Sequence, residues 1–230
     1  MKKVRGKMIR LFCLIFQPSS ILLCLLATCC SSCGLASIAG NAFPQNTKAM
    51  YSGMVGQSVG ILVWADRGIM IDWGTIQLDL ANSVQNKLIA SKAPETKGMT
   101  WPYPPASYVK YMRDHPGLES APITEIAPQF GVSRLIYIEV QNFRTRSTSE
   151  LELFRGEATM SLKIIEVDAA GATKTAFSED NIKAVFPSFA PPDGLPNLGD
   201  NKTYLGTVDV MATEIAHRLA TYESEPARGK

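Results

Sequence analysis

Ile123-Thr-Glu-Ile-Ala-Pro-Gln-Phe-Gly131, Arg134-Leu-Ile-Tyr-Ile-Glu-Val-Gln-Asn-Phe143 and Ala158-Thr-Met-Ser-Leu-Lys-Ile-Ile-Glu-Val-Asp168 together decide the fold class of this 230-residue chain. The first segment reads as a short helix closed by Gly131, a residue suited to a helix C-cap. The second is a β-branched and aromatic run, the composition of a strand at a sheet centre. In the third, Met160, Leu162 and Ile164 alternate with Thr159, Ser161 and Lys163, the period of a strand with one buried face. Asp168-Ala-Ala-Gly171 is a turn signal. Thr173–Phe186 follows as a further strand, with Ile182, Ala184 and Phe186 turned inward. A helix thus feeds a three-strand antiparallel meander.

Upstream, Val59-Gly-Ile-Leu-Val-Trp-Ala65 is a continuously apolar run, the signature of a strand buried on both faces. Ile76, Leu80, Val84 and Leu88 recur every four residues and predict an amphipathic helix over about 73–91, capped by Asp72. Trp101-Pro102-Tyr103 reads as a short edge strand or a loop. Ala106–Arg113 reads as another helix, ended by His115-Pro116-Gly117. Downstream, Tyr204, Val208, Met211, Ala212, Ile215, Ala216 and Leu219 share one face of a final helix. The element order predicts an α/β (α+β) sandwich, a mixed sheet with helices packed on it. Leu80, Ile136, Ile138, Leu162, Ile164, Val208, Ile215 and Leu219 are its expected core.

The charge balance is uneven along the chain. Lys2, Lys3, Arg5, Lys7 and Arg10 precede a stretch from Leu11 to Thr47 with no charged residue, and the first acid is Asp66. Without those five, 18 basic residues face 21 acidic ones, so the net charge of +2 belongs to the leader. It gives no ground for nucleic-acid binding. The basic start, apolar Leu11–Ala27 and small residues beyond have the order of a secretory signal peptide, and Gln17-Pro-Ser-Ser20 interrupts the run that a membrane anchor would need. Leu26-Ala-Thr-Cys29 resembles a bacterial lipobox, in which the cysteine is lipidated and becomes the new N-terminus. Thr28 stands where Gly, Ala or Ser is usual, and Cys30 and Cys33 are alternative sites. All five cysteines (Cys13, Cys24, Cys29, Cys30 and Cys33) lie in the leader region, so the remainder holds no disulfide and no cysteine metal ligand. The expected division is a signal peptide over 1–28, a tether over 29–57, one domain over 58–222 and a polar tail over 223–230.

An apolar first strand, a long helix ending in Asn86-Lys-Leu-Ile89, Ile126-Ala-Pro-Gln-Phe-Gly131 leading into Leu135-Ile-Tyr-Ile-Glu-Val140, and a strand ending in Ile164-Ile-Glu-Val-Asp168 form a familiar pattern. It resembles the superfamily that includes the curli secretion lipoprotein CsgG, the penicillin-binding-protein activator LpoB and the N-terminal domain of TolB. Phe130-Gly-Val-Ser133 and Val167-Asp-Ala-Ala-Gly171 match that group's turns in outline. The resemblance spans roughly residues 58–222. It implies a non-enzymatic lipoprotein facing the periplasm, on the outer membrane, acting in an envelope machine for secretion or cell-wall synthesis. Its implied partners are envelope proteins, the membrane through the lipid, and further copies of itself; no cofactor is implied.

No nucleophile elbow, phosphate-binding glycine loop, dinucleotide fingerprint or zinc-protease motif is present. Asp66 and Asp72 flank the first strand–helix turn, where a paired-carboxylate site is conceivable, but strand termination and helix capping are the simpler account of them. With His217 they define the alternative reading, an envelope hydrolase. The loop Arg144–Arg155 either extends a hairpin that presents Leu151, Leu153 and Phe154 to a partner or folds those side chains under its own end. Arg144–Gly156 and the proline-rich Pro187–Lys202 are both unsuited to a membrane-crossing hairpin, so a pore of the curli-secretion type is not expected.

Overall fold

β2 (Val59–Ala65) and β3 (Arg134–Arg146) run parallel, and β3, β4 (Phe154–Val167) and β5 (Thr173–Phe186) continue as an antiparallel meander. The four form one mixed sheet in the order β2-β3-β4-β5. The computed structural model describes residues 45–147, 150 and 152–224. Short strands β1 (Gln45–Thr47) and β6 (Tyr222–Ser224) pair as a separate two-stranded sheet. Residues 46–222 form one compact unit.

The helices divide between the two sheet faces as the apolar periods dictate. α2 (Ile76–Ala90) buries Ile76, Leu80, Ala81, Val84 and Leu88, and α5 (Asp200–Leu219) buries Val208, Met211, Ala212, Ile215 and Leu219. Both pack on one face, against Ile61, Val63, Ile136, Ile138, Leu162 and Ile164. All eight residues expected in the core lie in this cluster. On the other face, α3 (Pro105–Asp114) and α4 (Ile123–Ile126), with the 3-10 turn Ala127–Phe130, cover Leu62, Leu135 and Ile165 with Tyr108, Ile126 and Phe130. Gly131 closes that segment at φ 64°, the left-handed conformation that releases a helix end. This is the mixed α+β sandwich that the sequence pattern predicts.

Several boundaries differ, each for a local reason. α1 (Arg67–Asp72) precedes α2, and its cap is Asp66, whose Oδ1 accepts the Ile69 N–H at 2.9 Å. Asp72 therefore ends α1 rather than capping α2. α2 begins at Ile76, and Thr75 at its N-cap makes no side-chain capping bond. Residues 46–57, expected within the tether, pack on the unit: Met54 is 1% exposed. There the Arg134 guanidinium donates to the Tyr51 hydroxyl and the Gly53 carbonyl, both at 3.0 Å, and Tyr51 donates to Glu166 at 2.8 Å. Two apolar anchors in a Gly- and Ser-rich stretch leave no periodicity to read. Trp101–Tyr103 is a loop beside an isolated bridge between Ser58 and Thr100.

The meander hairpin is longer than the apolar pattern alone indicates, because its outer rungs are ionic. Arg144 pairs with Glu157 across the strands, Arg155 also binds Glu157, and Arg146 pairs with Asp200 at the start of α5. Phe154 is half-buried under the Arg146 guanidinium (5.1 Å to the ring centre) and exchanges two backbone hydrogen bonds with Leu195. Leu153 is half-buried as well. These two side chains are folded under; Leu151 lies outside the described residues. So do the leader, Cys13, Cys24, Cys29, Cys30 and Cys33, and residues 225–230 of the tail.

Candidate functional site: a cleft along the edge of the sheet

β2 is an edge strand, and no further strand of its sheet pairs with its outer side. Ser58 faces β3: its carbonyl accepts the Arg134 N–H at 3.0 Å, and its N–H donates to Ser133 Oγ at 3.1 Å. Successive peptide groups of a strand point to opposite sides, so Gly60, Leu62 and Trp64 also face β3. Val59 faces outward and donates to the Thr100 carbonyl at 2.9 Å. Ile61, Val63 and Ala65 share that outward orientation. Among the described residues their outward peptide groups have no hydrogen-bond partner.

A cleft of ≈ 750 Å³ follows this edge, in the size range of ligand and peptide sites. Leu62 to Ala65 form its floor, with Tyr137 beside them. One wall is Arg67 and Met70 of α1 with Gln77 and Leu78 of α2; the other is Met112 and Arg113 of α3 with Leu118 and the α4 segment. The walls exist because α2 and α3 pack on opposite faces of β2. Gly60 allows the close approach on the α3 side, since a Cβ there would sit 2.7 Å from the Tyr108 hydroxyl. Tyr108 in turn meets Phe130 edge to face at 5.2 Å and is 2% exposed.

The electrostatics are simple. Burial, and secondarily the Glu139 carboxylate, push the Tyr137 hydroxyl up to about 12, so it remains a neutral hydrogen-bonding group. Arg67 makes no hydrogen bond or ion pair among the described residues. The Arg113 side chain is 74% exposed, with a 3.8 Å approach to Asp114. Glu119 is the one carboxylate lining the cleft among the described residues. The cleft therefore combines an apolar floor, unused backbone donors and acceptors, and two cations against one anion.

Asp66, Asp72 and His217 are not brought together. Asp66 is engaged as the cap of α1, and Asp72 lies four residues before α2 begins. His217 sits near the other end of the helix pair, where Lys87 of α2 acts on its charge. From Ile76 to Lys87 is roughly 16 Å along α2 at 1.5 Å per residue. His217 is stacked on Tyr222, with ring centres 3.5 Å apart, and burial lowers its pKa. Among the described residues no group of three or more His, Cys, Asp or Glu is placed to hold a metal. The cleft was not singled out by the residue pattern. The apolar run Val59–Ala65 is its sequence trace, but that run reads only as burial of both faces.

No family model matches the chain, and no curated protein matches it. Solved structures that match the chain include a dodecamer of a PelC variant from Paraburkholderia phytofirmans, at 11% identity and TM-score 0.40, covering 77% of this chain and 98% of that one. Another is the hypothetical protein CT253 from Chlamydia trachomatis, at 12% identity and TM-score 0.42, covering 70% and 92%. A third is the lipoprotein GNA1162 from Neisseria meningitidis, at 12% identity and TM-score 0.37, covering 70% and 98%. At such distances none of their functions transfers to this chain.

Proposed function

We propose that this is an exported, lipid-anchored protein of a bacterial envelope that works by contact with protein partners rather than by catalysis. The observation that carries the contact role is the β2-edge cleft, whose apolar floor and unpaired peptide groups suit a protein segment. The anchoring role rests on the leader: five basic residues, an apolar run, and Leu26-Ala-Thr-Cys29. Diacylation of Cys29 would hold the domain at a membrane without a span, and two acyl chains suffice for stable anchoring. Among the described residues no helix is long and apolar enough to cross a membrane. The resemblance to the CsgG, LpoB and TolB group favours the outer membrane, facing the periplasm, and assembly into a secretion or cell-wall machine, with self-association as part of that assembly.

Metabolic labelling tests the anchor. Labelled palmitate should enter the wild-type protein, and Cys29→Ala should lose the label and leave the membrane fraction or accumulate as a precursor. A wild-type protein that never takes label, together with a Cys29→Ala variant that fractionates unchanged, would remove the lipoprotein reading. Label found only at Cys30 or Cys33 keeps the class and moves the site.

A further inference from the structure

We infer that the cleft binds its partner by strand addition: an extended peptide pairs with the outward backbone of Val63 and Ala65 and sets a carboxylate against Arg67 and Arg113. The inference rests on the contact role proposed above and specifies the chemistry of the partner. Three independent observations lead to it.

The first is the backbone itself. Val63 is 1% exposed and Ala65 6%, so water scarcely reaches these residues. Their outward peptide groups nonetheless have no partner among the described residues. Buried backbone groups are almost always paired, and the cleft running beside these two is the space a pairing strand would occupy.

The second is the contrast between the two edges of the sheet. Exposed edges are normally blunted by charge, proline or a bulge. β5, at the far edge, carries Lys174, Asp180 and Lys183, with Asn181 at φ 59° and two register shifts against β4. β2 has none of these. Its seven residues are uncharged, contain no proline and pair with β3 without a register shift. The β2 edge is shielded by the Thr100 segment at Val59 and by the walls of its own cleft. A single strand seated between those walls would extend the sheet, as extended peptides do when they add to a sheet edge.

The third is charge. Arg67 stands two residues beyond Ala65, and Arg113 lines the same cleft from α3. Arg67 has no acidic partner among the described residues, while Arg113 has Asp114 at 3.8 Å and Glu119 lines the same cleft. The strand that fits is apolar where it crosses Leu62 to Ala65 and carries an aspartate, a glutamate or a terminal carboxylate at the Ala65 end. Guanidinium–carboxylate pairing would then fix its register, while the backbone bonds supply affinity with little demand on sequence.

The test uses the full-length protein in detergent micelles and defined synthetic peptides. The probes are acetyl-Thr-Val-Thr-Val-Asp-Asp-amide, its sequence reversal, the corresponding Lys-Lys peptides, and forms with N-methylated valines. Trp64, on the cleft floor, supplies a fluorescence signal. One of the two acidic peptides should bind. N-methylation and the exchange of Asp for Lys should each weaken it at least about tenfold. Val63→Pro removes the outward donor together with a buried valine side chain, so it should abolish binding, and a thermal melt shows whether the fold survives. If Val63→Pro unfolds the protein, Arg67→Glu with Arg113→Glu, both at the surface, should invert the preference toward the Lys peptide. Binding indifferent to N-methylation, or no binding by either acidic peptide, overturns the inference. So does a result in which Val63→Pro only dissolves a homo-oligomer seen by sedimentation, because the occupant is then a second copy. Palmitate labelling and fractionation are read independently, so strand addition and the anchored contact role can fail separately.

Discussion

Truncating Ile138 to Ala probes the sheet at its most enclosed point. Ile138 is 0% exposed and sits between Val63 of β2 and Leu162 of β4 in the pairing register. The change deletes three carbons, a transfer loss of about 2.4 kcal/mol at about 0.8 kcal/mol per methylene. A residual cavity of about 60 Å³ would add about 1.4 kcal/mol at about 24 cal/mol per Å³. The total, about 4 kcal/mol, lies within the range of about 2–5 kcal/mol for such truncations. With a urea m-value of about 2 kcal/mol per molar, the unfolding midpoint should fall by about 2 M at unchanged slope. Ile89→Ala is the matched control: Ile89 is 60% exposed on α2, and its loss should stay within about half a kcal/mol. An Ile138→Ala loss no larger than that of the control would refute the placement of β3 at the sheet centre.

Three further outcomes are expected. Gly156→Ala would put its Cβ 1.7 Å from Thr207 Oγ1, so the β4–α5 contact must part, at a cost of about 1–3 kcal/mol in urea unfolding. Burial opposes ionisation of Glu157, but hydrogen bonds from Arg155 and Arg144 prevail and hold its pKa below the usual value; Arg146 does the same for Asp200. With folded pKa values depressed, the unfolded chain binds more protons, so this stability is present above the ordinary carboxylate pKa of about 4 and is lost as pH falls through the folded values. Glu157→Gln should flatten the acid limb of a melting-temperature profile; an unchanged limb would assign the loss to other groups. Planar bilayers with lipidated protein should show no conductance steps; steps abolished by deleting residues 145–154 would make the protein a pore.

Legibility in the sequence followed the physical range of each interaction. The four-residue recurrence Ile76, Leu80, Val84, Leu88 and the alternation Met160, Leu162, Ile164 are local patterns of burial, and all seven side chains are buried in one core. The outer rungs of the β3–β4 hairpin resemble a loop in sequence because Arg144 and Glu157 look polar singly, and their pairing depends on register. Asp72 reads as the cap of the long helix and Asp66 as the end of the strand, and only the chain path through α1 makes Asp66 the cap. The cleft was the least legible feature. Val59–Ala65 announces burial, but which of its peptide groups lack partners depends on β2 being the last strand in the sheet.

The central claim, an unpaired backbone edge at the floor of the cleft, is most directly tested by through-hydrogen-bond scalar couplings in the labelled protein. The account predicts couplings from the amides of Gly60, Leu62 and Trp64 to carbonyls of β3, a coupling from Val59 to Thr100, and none from Val63 or Ala65 until the acidic peptide is added. Couplings from the Val63 and Ala65 amides in the unliganded protein would contradict it.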